Sequence, residues 1–428
     1  MPDDAPHPDQ LFARWLAAQD ALLASDQSDW SSCAEMIRAT RALGDGMCSG
    51  NMPEAGFLSA FPLALGPGVI PDNPRSRFAQ ADMRLKLLIA QIWAGAAERA
   101  GQRNVPPDQM IRRWTEALDD MHDEISSTSD YTAASVAWLE GAVSAGIPLT
   151  PPGRPAPPAP SLGTTPSSCI WSEDRVTLSR YRGRTGGCPL LIVHGLIGRQ
   201  SVSDLEAGRS LVSELVAAGA DLWVLDWGFA DARHQEDGFT EHAEAWLGRA
   251  VDTVRRTTQT RPALFGICQG GLFVLGHAAR HSDTLAGIVL TGTPVDFHAD
   301  LAVREGYLNR LARALPEHVV DALIAPTGLL PGALTGMLFQ AMTPGRTFAK
   351  YTIDLADKLA DPKEIATFAR MEAWLADRPD HPGRAAREWL IDLYQKNALV
   401  RGLFKIAGDP VRLDRITVPV LNIVAERD

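Results

Sequence analysis

A chain of 428 residues exceeds one typical domain and predicts two, and its 45% hydrophobic content is ample for globular cores. The formal net charge of −11 excludes the basic footprint that nucleic-acid phosphates require and gives no polybasic membrane anchor. No stretch reaches the ~20 apolar residues of a membrane-spanning helix, no basic-then-apolar leader opens the chain, and five cysteines with no CxxC or Cys/His ligand spacing predict a reduced, cytoplasmic protein without zinc.

In chain order, the first part reads as helical. Within residues 77–100, Met83, Leu87, Ile89, Ile92 and Trp93 fall along one side, with charges mostly elsewhere, which predicts an amphipathic helix. After Pro106 and Pro107, Asp108 is placed to cap a second helix carrying Ile111, Trp114, Leu118 and Met121. The span Pro148–Pro166 holds eight prolines, which forbid helix or central strand and predict a stiff extended linker. The expected division is a helical domain over 1–147, a proline-rich linker over 148–168 and a second domain over 169–428.

Past the linker the texture changes. Residues 175–182 alternate as a strand does, and 189–193, 221–227, 263–268, 287–293 and 419–425 are short apolar runs. Helical patterns at about 205–218, 241–258 and 271–281 separate several of them. Apolar strands alternating with helices predict an α/β fold with a mainly parallel sheet covered on both faces. Residues from about 298 to 370 break that rhythm and predict a cap insertion over the sheet.

The chemistry centres on LFGICQGGLF, residues 264–273. A strand that ends in Gly-x-Cys-x-Gly and opens into a helix is a nucleophile elbow, with Cys268 at its apex and Gly266, Gly270 and Gly271 keeping the turn tight. The positive end of the following helix favours thiolate, and the backbone N–H of Gln269 can hold an oxyanion. The alternative is a structural cysteine buried in a glycine-rich turn. The His-Gly turn after 189–193 agrees with the elbow, because the loop after that strand supplies the second oxyanion N–H, from Leu196 or Ile197. His194 either contacts the reacting centre or shapes the turn. In this fold the catalytic acid follows a later strand, which makes Asp428, after 419–425, the acid candidate.

Together these pieces resemble polyhydroxyalkanoate synthases, most closely the class III type. The matching segments are Asp226-Trp227-Gly228, the box around Cys268, Thr293-Pro294-Val295-Asp296-Phe297, Leu330-Pro331-Gly332, residues 371–380, residues 387–402 and PVLNIVA before Asp428. The resemblance covers about 165–428 in collinear order, and segments within 1–147 weakly resemble the accessory subunit of that class. It implies an α/β-hydrolase-type fold, a Cys268 acyl-enzyme oriented by Asp428, and polymerisation of (R)-3-hydroxyacyl-CoA with release of CoA. It further implies a homodimer, a growing polyester and granule surface as partners, and no cofactor or metal. The chain departs from the family at His194-Gly195 and at Phe229, where tyrosine is usual. The family's base is a histidine farther along than Asp428, so a truncated C-terminus and at most a stoichiometric burst of CoA are expected. Two other readings stay open: a cysteine-dependent thioesterase or esterase of the same fold, and a non-catalytic granule-associated chain.

Overall fold

The computed structural model describes residues 74–101, 107–146, 149, 163–181, 187–299, 306–351, 353–358 and 361–425. The chain divides into two compact units, one of residues 1–145 with 340–366, the other of residues 146–339 with 367–428.

The first unit is built on helices α1 (Pro74–Gly101), α2 (Pro107–Ser126) and α3 (Ser129–Ser144). The buried face of α1 carries Ala81, Leu88, Ile92 and Ala96, while Ile89, expected on that face, is 38% exposed. Small alanines take those positions because the helices pack closely, and a stripe read from large side chains alone misses them. Helix α2 starts at Pro107, so Asp108 lies inside its first turn and not before it. Proline suits a first helical position because the N–H it lacks would have no intrahelical partner. Trp114 and Leu118 are buried as their spacing predicts.

The same unit draws in residues far along the chain. Trp114 meets Phe348 edge-on with ring centroids 5.1 Å apart, and packs against Trp93 at 5.2 Å. Asp119 accepts the N–H groups of Gly345 (2.7 Å) and Arg346 (3.1 Å), at the start of a helix over Pro344–Tyr351. Those donors are the orphans of a helix N-terminus, so the carboxylate acts as an external cap.

The second unit holds a seven-stranded sheet. Its strands are β1 (Ser168–Glu173), β2 (Val176–Tyr181), β3 (Pro189–Val193), β4 (Asp221–Asp226), β5 (Ala263–Ile267), β6 (Gly287–Thr291) and β7 (Val420–Ile423). Their spatial order is β1-β2-β4-β3-β5-β6-β7. The hairpin β1-β2 and the pair β2-β4 are antiparallel, and every pair from β4 to β7 is parallel. Leu191, Ile192, Leu222, Trp223, Leu225 and Leu264 have no exposed surface, as strands covered on both faces require.

Two local expectations change. Residues 205–218 are not one helix: a short antiparallel pairing of 204–206 with 209–210 turns at Gly208 (φ +83°), and helix begins only at Leu211, capped by the Ser210 hydroxyl. Residues 241–258 begin as a π-helix over Glu241–Trp246 before continuing as α-helix Leu247–Thr258. The insertion contains helices Tyr307–Ala314 and Glu317–Ile324 within this unit, and helix Gly332–Gln340 belongs to it up to Phe339.

Candidate active site

Because β4, β3, β5, β6 and β7 run parallel, their C-terminal ends share one edge of the sheet. That edge gathers the segments after each strand: Trp227-Gly228, the His194–Ile197 loop, Cys268, the Thr293–Phe297 segment and the residues after Ile423. Crevices outside the carboxyl ends of such strands are where open α/β sheets bind ligands.

Cys268 sits between β5 and helix α4 (Gly270–His281) with φ +53°, in the left-handed region. For a residue with a Cβ that conformation costs about 1–2 kcal/mol. It persists because the surroundings enforce it. The Cys268 N–H donates to Thr291 O (2.8 Å) and the Gly271 N–H to Cys268 O (3.0 Å). A Cβ on Gly270 would stand 2.1 Å from Val193 O, one on Gly266 2.5 Å from Gly271 Cα, and one on Gly271 2.0 Å from Thr293 Oγ1. Strand, elbow and helix thus approach so closely that only glycine fits around the cysteine. The thiol itself is exposed, unlike the buried structural cysteine of the alternative reading.

Gln269 joins the elbow to the loop after β3. Its side chain is buried, and its Oε1 accepts the Leu196 N–H at 2.8 Å. That N–H is therefore committed within the protein, and Ile197 is the remaining loop donor of the two expected. His194 is buried, with Nε2 2.9 Å from the Ser203 hydroxyl and its carbonyl accepting the Trp227 Nε1–H at 2.7 Å. Burial holds its imidazole down to about 4, against an opposing pull from the Asp226 charge. These contacts fit the turn-shaping role. Trp227, from the Asp-Trp-Gly element, is the brace beneath the turn and packs edge-on against Phe273 of α4.

A further group at the site was not singled out by the sequence. The π-helix Glu388–Gln395 carries Tyr394, whose phenol is pushed up to about 12 by burial, with the nearby Cys268 charge adding to the rise. Its ring lies 4.5 Å from that of Phe297 between centroids, and its carbonyl is 2.8 Å from His298 Nε2. Asn397 completes the tie, donating from Nδ2 to Asp296 Oδ1 (2.7 Å) and accepting the Phe297 N–H on Oδ1 (3.1 Å). The bond from Asn397 leads the causes that hold the Asp296 carboxyl below its ordinary range. Only the tyrosine's place inside a family-like segment could have drawn notice; no spacing links it to the cysteine. The remaining sequence candidate, Asp428, lies outside the described residues. Among those residues, β7 pairs with β6, and the Gly292 N–H donates to Ile423 O at 3.0 Å.

Comparison with known proteins agrees with this arrangement. A family model described as the alpha/beta hydrolase fold matches residues 189–428. The poly(3-hydroxyalkanoate) polymerase subunit PhaC of Allochromatium vinosum is 33% identical over 273 residues, spanning 62% of this chain and 75% of its own. The subunit of the same name from Thiocystis violacea is 32% identical over 272 residues, spanning 62% and 74%. That of Synechocystis sp. is 32% identical over 273 residues, spanning 62% and 71%.

Proposed function

The chain belongs to the alpha/beta hydrolase fold family and, within it, to the poly(3-hydroxyalkanoate) polymerase PhaC proteins, and on that footing we propose that it polymerises (R)-3-hydroxyacyl units from their CoA thioesters through an acyl-enzyme on Cys268. The observation that carries the cysteine assignment is the exposed thiol held at φ +53° on the elbow. Strain of that kind, kept by surrounding glycines, is what presents a nucleophile at the mouth of this fold.

The Cys268 thiolate attacks the thioester carbonyl. The partial positive charge at the start of α4 faces the sulfur, and the N–H groups of Gln269 and Ile197 stabilise the oxyanion of the tetrahedral adduct. The adduct collapses with breakage of the bond to CoA sulfur, and CoA leaves as its thiolate. The 3-hydroxyl of the next unit then gives its proton to the general base, which in the family resembled is a histidine farther along than Asp428 and oriented by that carboxylate, and attacks the acyl-cysteine. The new ester bond forms as the bond to Cys268 sulfur breaks, which restores the thiolate. Each unit joined releases one CoA. Exchange between thioesters is nearly balanced, so the acyl group stays activated for ester formation. These steps call for no metal or redox cofactor, and the apolar product puts the working enzyme at the surface of polyester granules.

The test is product analysis with 3-hydroxybutyryl-CoA. Ester-linked oligomer or polymer appearing with CoA supports the proposal. Free 3-hydroxybutyrate as the sole acyl product overturns it in favour of a thioesterase.

A further inference from the structure

Helix α4 has chemistry at both ends. Its first turn follows Cys268; its last carries His277 and His281, one helical turn apart and therefore on the same face. Glu244, in the π-helix Glu241–Trp246, completes a cluster in which one ligand atom from each residue lies within 4.8 Å of the others. Packing alone does not account for how the three are held. His277 is 3% exposed, and its Nδ1 is 3.0 Å from Ala243 O. A carbonyl can only accept, so the proton is on Nδ1 and the lone pair on Nε2. That Nε2 is buried without a hydrogen-bond partner. A histidine that donates one ring N–H to a backbone carbonyl and keeps the other nitrogen bare is in the tautomer a metal ligand needs. Glu244 is oriented as well: Oε1 accepts Arg280 Nε at 2.6 Å, while Oε2 meets His281 Nε2 at 2.8 Å.

We propose that Glu244, His277 and His281 form a Zn²⁺-binding site, three protein ligands with one open position, that fastens the C-terminal end of α4 to the π-helix before it. Two imidazoles and one carboxylate suit zinc in preference to calcium or magnesium, which favour all-oxygen sets. Zinc bonds of about 2.0–2.1 Å put tetrahedral ligand atoms about 3.3 Å apart, so ligand atoms now within 4.8 Å of one another must draw together by up to about 1.5 Å. On binding, His281 gives up its hydrogen bond to Glu244 and ligates through Nε2, its ring proton passing to Nδ1 by exchange with solvent, and water takes the fourth position. The negative end of the helix dipole favours a cation here. Arg280 opposes it, but its own charge is shared with Asp409, 2.8 Å from NH1. The site lies nine or more residues along the helix from Cys268, so it steadies the helix that presents the nucleophile and takes no part in the chemistry.

The experiment uses the full chain, stripped with chelator and titrated with Zn²⁺, with bound metal counted by mass spectrometry and Co²⁺ as an optical probe. About one Zn²⁺ per chain, a tetrahedral Co²⁺ spectrum and a raised thermal midpoint are expected. Glu244→Gln and His281→Gln, both on partly exposed residues, should each weaken binding at least tenfold, and Arg280→Gln should leave it intact or tighten it. Failure to bind Zn²⁺, or binding unchanged in the Glu244→Gln/His281→Gln double variant, would overturn the site and leave an ordinary ion-pair network. Neither outcome bears on the polymerase reading, which product analysis tests separately.

Discussion

The two units are built on opposite economies of sequence. The sheet unit assembles from apolar runs whose neighbours follow from the alternation of strand and helix. The helical unit assembles from segments that sequence order keeps far apart: α1 to α3 at one end of the chain and residues 340–366 near the other. A strand carries its pairing instructions in its own pattern, whereas an amphipathic helix states only that it has a face to bury. The difference teaches where a pattern-based reading can be trusted to name a partner and where it can only announce that one is needed.

The sharpest break in the comparison is at the elbow. Cys268→Ala should lower CoA release by on the order of 10⁴-fold or more, as removal of a covalent nucleophile does. Cys268→Gly should do the same and yet raise stability by about 1 kcal/mol, because glycine carries no penalty at φ +53°. Loss of stability in that glycine variant, measured by denaturant unfolding, would contradict an enforced left-handed elbow. Gly270→Ala should cost about 3 kcal/mol, since its Cβ would meet backbone at 2.1 Å.

In the helical unit, Trp114→Ala should cost about 3 kcal/mol through loss of its packing with Trp93 and Phe348, and limited proteolysis should then cut within 340–366. Cleavage of the intact protein between 148 and 162 should leave pieces that co-elute on gel filtration, because residues 340–366 stay packed with α1 to α3. Separate elution would show that the distant segment is not part of the unit.

Acidification probes the sheet unit. His194, His242 and His381 are buried, and burial holds them down to about 4, about 3 and about 4. Their folded values lie below the unfolded value, so between about pH 6.5 and pH 4 the unfolded chain binds more protons. Stability should therefore fall as pH drops through that window. A thermal midpoint that is flat from pH 7 to pH 5 would show those imidazoles to be solvated. The smallest effect belongs to Arg112, whose pairs with Asp354 and Asp357 are exposed. Arg112→Ala should change stability by no more than about 0.5 kcal/mol.

What was legible follows physical lines. Strand β3 spans 189–193 as read, because five apolar residues have no other use. Strand β1 was not anticipated: five of its six residues are exposed, so it is an edge strand with no apolar alternation to betray it. The elbow was legible because its steric demand for glycine is written into adjacent residues. The bond from Leu196 to Gln269 and the approach of Tyr394 to Cys268 were not, because each depends on how separate loops come together along the sheet edge. No cysteine spacing marks the proposed zinc ligands; the one-turn histidine pair is visible in the sequence, but its glutamate lies on another helix.

The central claim is that Cys268 carries the growing chain. Its most direct test is peptide mapping of the protein after brief exposure to 3-hydroxybutyryl-CoA, with the thioester adduct located by mass spectrometry. The account predicts a hydroxybutyryl adduct on the peptide containing Cys268, absent in Cys268→Ala. An adduct on Cys169 or Cys188 that persists in Cys268→Ala would contradict it.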